Sequence, residues 1–315
     1  MPLDRRAQRF LDLLQVSRPA AIEGASIEQR RSGLAELMKF AGPAPTVMAV
    51  ADRTVPGPGG PIPVRIYTGC GTGAGLTPGL IYFHGGGLVA GSVQTHDPIA
   101  RALANAGSCR VISVDYRLAP EHRFPAALAD ATAATSYIAA RASAFGIDPE
   151  RLGICGDSAG GTLAAATCQA LTLAGGAKLA LQLLICPILD YSRSSASRQE
   201  LARGFMLDEA TLAHDLSHYL PAAADPADPR VSPLCAADLA GLPRTIMHTA
   251  EYDPLRDEGQ AYADRLARED ALLSYTCHPG MIHLFYALGS VIPYAHTAFQ
   301  HIGGGIRDAL SVRSG

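Results

Sequence analysis

A serine stands among small residues at 156–161, where the sequence reads Gly-Asp-Ser-Ala-Gly-Gly directly after the apolar run 151–155. The pattern Gly-x-Ser-x-Gly between a strand and a helix is typical of a nucleophile elbow, a sharp turn that exposes the serine hydroxyl. We therefore predict Ser158 as a catalytic nucleophile, with Gly156 and Gly160 giving the turn its conformational freedom. The alternative is a glycine-rich turn in which Ser158 only caps the helix.

A second glycine-rich segment, His-Gly-Gly-Gly at 84–87, follows the apolar run 80–83. Consecutive glycines let the backbone approach a substrate and aim its N–H groups at the oxyanion that acyl transfer creates. We predict that this loop, together with the amide of Ala159, forms an oxyanion hole. His84 is expected to shape the loop, because the base that partners a nucleophile elbow follows the serine in the chain.

An activated serine needs a base, and the base needs an acid that orients it. Of the later histidines, His283 lies in the loop-like segment 278–285 and is favoured as the base over His278, which precedes Pro279 at a strand end. For the acid we favour Asp253, the first aspartate after the strand-like run 244–249.

The choice of acid has alternatives. Asp253 and Pro254 also resemble a helix N-cap followed by a first-turn proline, which is a structural interpretation of the same residues. Glu251 and Asp257 are the other candidates for the acid.

Two further histidines, His214 and His218, are four residues apart but lack the glutamate of the zinc-binding His-Glu-x-x-His pattern. We expect them on the polar face of a helix, and we expect no metal and no organic cofactor.

The elements that must position these residues alternate along the chain. Continuously apolar strands alternating with helices predict an α/β fold with a mostly parallel eight-stranded sheet covered by helices on both faces. The strands are predicted at 47–52, 62–67, 80–83, 110–114, 151–155, 181–186, 244–249 and 272–277. Helices are predicted near 97–106, 125–144, 159–174, 255–269 and 294–311.

Two segments interrupt this alternation. Residues 1–45 form an amphipathic helical lead-in, and residues 191–235 form an insert with a helical part at 208–220. We predict that both segments build a cap over the carboxyl ends of the strands, where α/β sheets bind ligands. Residues 46–190 and 236–315 would then form the catalytic domain.

Composition excludes several functional classes. The chain has 315 residues, of which 17% are charged, and a net charge of −3, which argues against a nucleic-acid partner or a stable membrane association. The 7 cysteines show no Cys-x-x-Cys spacing, which favours reduced thiols in a cytoplasmic protein. The first residues lack the apolar region of a secretory signal. A homodimer is compatible with these properties.

Five stretches of the sequence together resemble the bacterial hormone-sensitive-lipase-like esterases of the α/β-hydrolase fold. They are YFHGGGLVAGSVQTHD, VISVDYRLAPEHRFPAALAD, GDSAGGTLAA, TAEYDPLRDEGQAYA and GMIH. The resemblance implies Ser158 as nucleophile, Asp253 as acid and His283 as base. It places the oxyanion hole on the amides of Gly86, Gly87 and Ala159, with Gly85 a weaker candidate.

The implied activity is that of a serine carboxylesterase acting on a small-molecule ester with a short- to medium-chain acyl group. An amidase or acyltransferase with the same triad is the alternative. A ligand-binding receptor of this fold, such as the plant gibberellin receptors, is disfavoured because His283 is present.

One residue departs from the family pattern, in which glycine commonly follows the catalytic histidine: here it is Leu284. We expect Leu284 to narrow the pocket or to shift the histidine loop. The predicted substrate-binding residues are Leu88, Phe205, Met206, Leu207, Leu216, Tyr219, Leu284 and Phe285. Packing of the cap onto the body would explain five of them, those of the insert at 205–219, equally well.

Overall fold

The computed structural model describes residues 1–17 and 25–311 of the chain. An eight-stranded sheet forms its centre, with the strand order β1-β2-β4-β3-β5-β6-β7-β8. The strands are β1 Ala49–Val55, β2 Ile62–Thr68, β3 Thr77–Phe83, β4 Arg110–Val114, β5 Ile147–Asp157, β6 Leu181–Ile185, β7 Thr245–Tyr252 and β8 Leu272–Ile282.

Most of the sheet is parallel, as the sequence predicts. Strand β2 pairs antiparallel with both β1 and β4, and every later pair, from β4–β3 to β7–β8, is parallel. The central strands are buried along their length; all five residues of β6 are buried, for example. Buried parallel strands are continuously apolar because helices cover both of their faces.

Helices cover this sheet and also lie beyond it. The helices are α1 Arg5–Ser17, α2 Ile27–Met38, α3 Asp97–Gly107, α4 Ala126–Ala139, α5 Ala159–Leu173, α6 Ala196–Glu200, α7 Glu209–Tyr219, α8 Arg256–Arg268 and α9 Tyr294–Ala309. Helix α3 packs against α9, and α4 packs against α5. None of the helices in the described ranges is long and apolar enough to cross a bilayer.

The lead-in and the insert carry helices, as expected. Helix α2 is capped by Ser26, the residue before it. The Ser26 hydroxyl accepts from the Gln29 amide while the Gln29 side chain accepts from the Ser26 amide, a capping box. Helix α7 begins after Asp208, whose carboxylate accepts from the Thr211 amide. The division into cap segments 1–45 and 191–235 and a catalytic domain stays a prediction.

Candidate active site

Strand β5 ends at Asp157 and helix α5 begins at Ala159, so Ser158 occupies the turn between them. Its backbone has φ 52 and ψ −124, a conformation that non-glycine residues rarely adopt and that costs on the order of 1–3 kcal/mol. The neighbouring Gly156 and Gly160 do not have positive φ. They are needed for space, because a Cβ on either one would overlap a backbone carbonyl group. The strain therefore lies on the serine itself, which corrects the predicted role of the two glycines.

Ser158, His283 and Asp253 form a hydrogen-bonded chain. The Ser158 hydroxyl lies 3.1 Å from Nε2 of His283. Nδ1 of the same ring lies 2.7 Å from Oδ2 of Asp253. Asp253 is fully buried, and the other two side chains are nearly so. Oδ1 of Asp253 also accepts from the amide of Leu255 at 2.9 Å, so the aspartate caps the following turn and orients the histidine at the same time.

The alternative residues lie in other hydrogen-bond networks. Nε2 of His278 lies 3.1 Å from Nδ1 of His248, away from the serine. Glu251 accepts from the amide of Gly280 at 2.7 Å, and Asp257 accepts from a backbone amide of helix α6 at 2.7 Å. The structure therefore brings together the three favoured residues and not their alternatives.

The glycine loop that follows β3 lies beside Ser158. The Gly85 amide donates to Oδ1 of Asp157 at 3.0 Å, so it is not available to a substrate oxygen, and its predicted place in the oxyanion hole needs correction. The amides of Gly86, Gly87 and Ala159 donate no hydrogen bond to any described residue. Three unsatisfied N–H donors next to a serine hydroxyl can stabilise the negative charge that develops on a substrate oxygen.

A buried hydrogen-bond network centred on Asp157 holds this loop in place. Asp157 also accepts from the hydroxyls of Tyr82 at 2.5 Å and Tyr286 at 3.0 Å, and burial raises the pKa of its carboxyl. His84 is fully buried, and burial, with the nearby His96, lowers the pKa of His84 to about 4. His84 is therefore neutral at neutral pH, and its Nδ1 lies 2.8 Å from the Gly85 carbonyl oxygen. Its role in shaping the loop stays a prediction.

A cavity of about 340 Å³ opens above Ser158. Three of the predicted substrate-binding residues line it: Met206 and Leu207 of the insert, and Leu284 next to His283. Leu284 has φ 60 and ψ 11, the left-handed conformation that glycine adopts without strain. Its side chain is 5% exposed, so it fills space beside the histidine.

Five other predicted residues do not line this cavity: Leu88, Phe205, Leu216, Tyr219 and Phe285. The two aromatic residues of the insert pack on other rings. Phe205 stacks on Tyr252 with 5.6 Å between ring centroids, and Tyr219 meets Phe124 edge-on at 5.9 Å. The remaining three pack in or against the hydrophobic core. The three insert residues are therefore corrected from cavity lining to packing of the cap, and Leu88 and Phe285 to packing in the hydrophobic core.

The cavity residues of helix α2 and its C-terminal turn were not among those predicted from the sequence. Leu34, Leu37 and Phe40 supply an apolar wall there, and Arg30 with Asp215 supplies a polar one. The amphipathic lead-in signals a cap, but not which of its side chains face the serine.

The two histidines of helix α7 have hydrogen-bond partners. Nε2 of His214 lies 3.0 Å from the Ala25 carbonyl oxygen, and Nδ1 of His218 lies 2.9 Å from the His214 carbonyl oxygen. Among the described residues, one set brings three metal-type donor atoms within 4.8 Å of one another: Cys186, Asp253 and His283. Two of these three already form the hydrogen bond described above.

The chain is similar to known hydrolases along most of its length. A family profile for the alpha/beta hydrolase fold matches residues 80–287. The chain is 36% identical to an arylesterase of Saccharolobus solfataricus over 293 residues, which cover 92% of this chain and 94% of that protein. It is 40% identical to an ethyl acetate hydrolase of Pseudomonas putida over 238 residues, 74% of each chain.

A solved structure is similar along almost the whole chain. An ester hydrolase from the metagenome of Lake Arreo, in complex with a derivative of bipyridine phosphonate, superimposes with a TM-score of 0.94 at 40% identity, covering 98% of this chain and 100% of that one. The chain belongs to the hormone-sensitive-lipase-like carboxylesterases of the α/β-hydrolase fold family.

Proposed function

We propose that this chain is a serine carboxylesterase that hydrolyses short- to medium-chain esters through an acyl-enzyme on Ser158. The observation that carries the proposal is the hydrogen-bonded chain from Ser158 through His283 to Asp253, with distances of 3.1 and 2.7 Å. That chain borders an apolar cavity and lies beside unsatisfied backbone amides, which is the constellation that acyl transfer requires.

In the first half of the reaction, Nε2 of His283 accepts the Ser158 proton as Oγ attacks the ester carbonyl carbon. The carbonyl π electrons move to the oxygen, and this oxyanion accepts hydrogen bonds from the amides of Gly86, Gly87 and Ala159. Asp253 accepts a hydrogen bond from the Nδ1–H group of His283 and stabilises the imidazolium. When the intermediate collapses, the bond to the alcohol oxygen breaks, and His283 donates its proton to the leaving alcohol.

In the second half, a water molecule replaces the alcohol. His283 accepts a proton from this water as its oxygen attacks the acyl-enzyme carbonyl carbon. The second intermediate collapses, the bond to Ser158 Oγ breaks, and His283 returns its proton to the serine. The products are a carboxylic acid and an alcohol, and the enzyme regains its starting protonation state.

The cavity supports a small ester as the substrate. Its volume of about 340 Å³ is near the lower end of the range of roughly 300–1,000 Å³ for ligand pockets. Leu34, Leu37, Phe40 and Leu284 make much of its wall apolar, which suits an acyl or aryl group. Two relatives are named for small or aryl esters, an ethyl acetate hydrolase and an arylesterase.

Amide cleavage passes through the same intermediates, so the assay has to separate the two reactions. Initial rates should be measured on p-nitrophenyl esters from acetate to laurate and on the matched p-nitroanilides. We expect kcat/KM to be highest for acetate to hexanoate and low for the anilides, with all turnover lost in Ser158→Ala. Faster cleavage of the anilides would overturn the esterase assignment, and undiminished turnover in Ser158→Ala would overturn the mechanism.

The cellular location is part of the proposal. All 7 cysteines are free, and four of them are buried: Cys109, Cys155, Cys168 and Cys186. Thiols without disulfide partners suit a reducing compartment, so we place the protein in the cytoplasm. A homodimer stays a prediction, which light scattering of the purified chain tests.

A further inference from the structure

A largely buried ion pair lines the same cavity as the catalytic histidine. Arg30 of helix α2 donates to Asp215 of helix α7 in a bidentate arrangement, from Nε to Oδ1 at 3.0 Å and from Nη2 to Oδ2 at 2.7 Å. The two side chains are 14% and 7% exposed. Both line the cavity that contains Ser158. The pair therefore joins the lead-in to the insert beside the reacting serine.

The carboxylate of this pair touches the oxyanion loop. A Cβ added to Gly87 would overlap Oδ2 and Cγ of Asp215, so the aspartate side chain occupies the space that a side chain at position 87 would need. Gly87 has φ 67, which also favours glycine. The amide of this same residue is one of the proposed oxyanion donors. A negative charge thus lies beside the Cα of the residue whose amide must stabilise a developing negative charge.

Such a contact works against catalysis unless the charge is cancelled. Two negative charges in a partly buried site repel strongly, because the effective dielectric constant is far below that of water. The ester is uncharged before attack and its oxygen is anionic in the transition state, so the repulsion acts on the transition state alone.

We propose that Arg30 is a positioning residue for the reaction, which neutralises Asp215 and holds that carboxylate against Gly87. Its guanidinium is permanently charged and meets both carboxylate oxygens. Asp215 also has other polar neighbours, among them His214, whose Nδ1 lies 3.2 Å from Oδ1, and Tyr191, which lines the same cavity. This inference rests on the proposed esterase function, and it adds a charge requirement that neither the triad nor the glycine loop contains.

The test is a double-mutant cycle on p-nitrophenyl butyrate with Arg30→Gln, Asp215→Asn and the combined variant. Arg30→Gln leaves the carboxylate without its counter-charge, and we expect kcat to fall on the order of 10- to 100-fold with KM changed by less than about threefold. Asp215→Asn breaks the same pair but removes the negative charge, so it should lose less. The combined variant should recover at least about fivefold in kcat over Arg30→Gln and stay within about tenfold of the wild type.

Two further variants separate charge from geometry. Arg30→Lys keeps the charge but loses the bidentate contact, and should retain more kcat than Arg30→Gln. Arg230→Gln breaks another bidentate Arg–Asp pair of the insert, with Asp228, and should keep the wild-type kcat. Arg230 is 61% exposed and does not line the cavity. Melting temperatures of all variants show whether each is folded at the assay temperature.

Three results would overturn the inference. They are wild-type kcat in Arg30→Gln, a loss that appears in KM instead of kcat, and a combined variant no faster than Arg30→Gln, which would make the pair a purely structural clamp. If Arg30→Gln does not fold, a loss above about tenfold in either Arg30→Lys or the combined variant overturns it. Failure of the esterase proposal is distinguishable, because the wild-type protein would then hydrolyse no ester.

Discussion

Replacing Leu284 with glycine should widen the range of esters that the enzyme accepts. Leu284 lines the cavity directly after His283 and is almost fully buried. Its φ of 60 places a branched side chain in the left-handed region, at a cost of about 1–2 kcal/mol. Leu284→Gly removes both the side chain and this backbone cost.

The magnitude follows from the carbons that are removed. The leucine side chain has four carbons, so the variant makes room for roughly four more methylenes of an acyl chain. At about 0.8 kcal/mol each, they add at most about 3 kcal/mol of transition-state binding, a ceiling of about 200-fold in kcat/KM. Acetate does not reach the new space and should gain nothing. Removing a buried leucine costs about 2–5 kcal/mol of stability, and the relieved strain offsets about 1–2 kcal/mol of that.

The assay is kcat/KM for p-nitrophenyl esters of increasing acyl length, with Leu284→Ala as the matched variant. Alanine frees nearly the same space but keeps a Cβ at positive φ. We therefore expect the same shift toward longer acyl chains in both variants, with a lower melting temperature for alanine. Equal loss of activity on every ester in both variants would show that Leu284 supports the histidine loop and does not limit the pocket.

The other predictions concern the triad, acid stability and the oxyanion loop. Ser158→Ala and His283→Ala should each lower kcat on the order of 10³-fold or more, and the double variant should be little worse; substantial turnover in His283→Ala would mean that another group is the base. Burial lowers the pKa of His248 to about 3 and of His278 to about 4, below the unfolded value of about 6.5. The free energy of unfolding should therefore be highest above pH 6.5 and fall toward pH 4, by up to about 1.4 kcal/mol per pH unit for each histidine. Urea titrations at several pH values should show that this fall with pH is shallower in His248→Gln. The same fall with pH in this variant and in the wild type would refute the prediction. Gly87→Ala places a methyl group against Asp215 at positive φ, so kcat should fall about tenfold or more; wild-type kcat would show that the loop adapts.

Apolar runs in the sequence predicted the sheet because its central strands are buried on both faces. The run 80–83 is continuously apolar, and it forms the end of the buried strand β3. The Ser158–Asp253–His283 assignment was accessible for a related reason. Each residue follows the carboxyl end of a parallel strand, and these ends meet at one edge of the sheet.

The cavity wall was less accessible, because it depends on how the cap helices dock. Asp215 and Tyr219 are four residues apart and share one face of helix α7. Asp215 lines the cavity and Tyr219 packs on Phe124, and their spacing does not tell which of the two reaches the cavity. The conformations of Ser158 and Leu284 were also hidden. A positive φ at a non-glycine residue is imposed by its surroundings and leaves no sign in local composition.

The most direct test of the proposed mechanism is to find which atom the acyl group occupies. The protein should be titrated with a p-nitrophenyl alkylphosphonate, a reagent whose adduct resembles the tetrahedral intermediate, and then digested and analysed by mass spectrometry. We expect one equivalent of p-nitrophenol per chain, loss of esterase activity in proportion, and the adduct on Ser158. An adduct on another residue, or continued ester hydrolysis by protein fully labelled at Ser158, would contradict it.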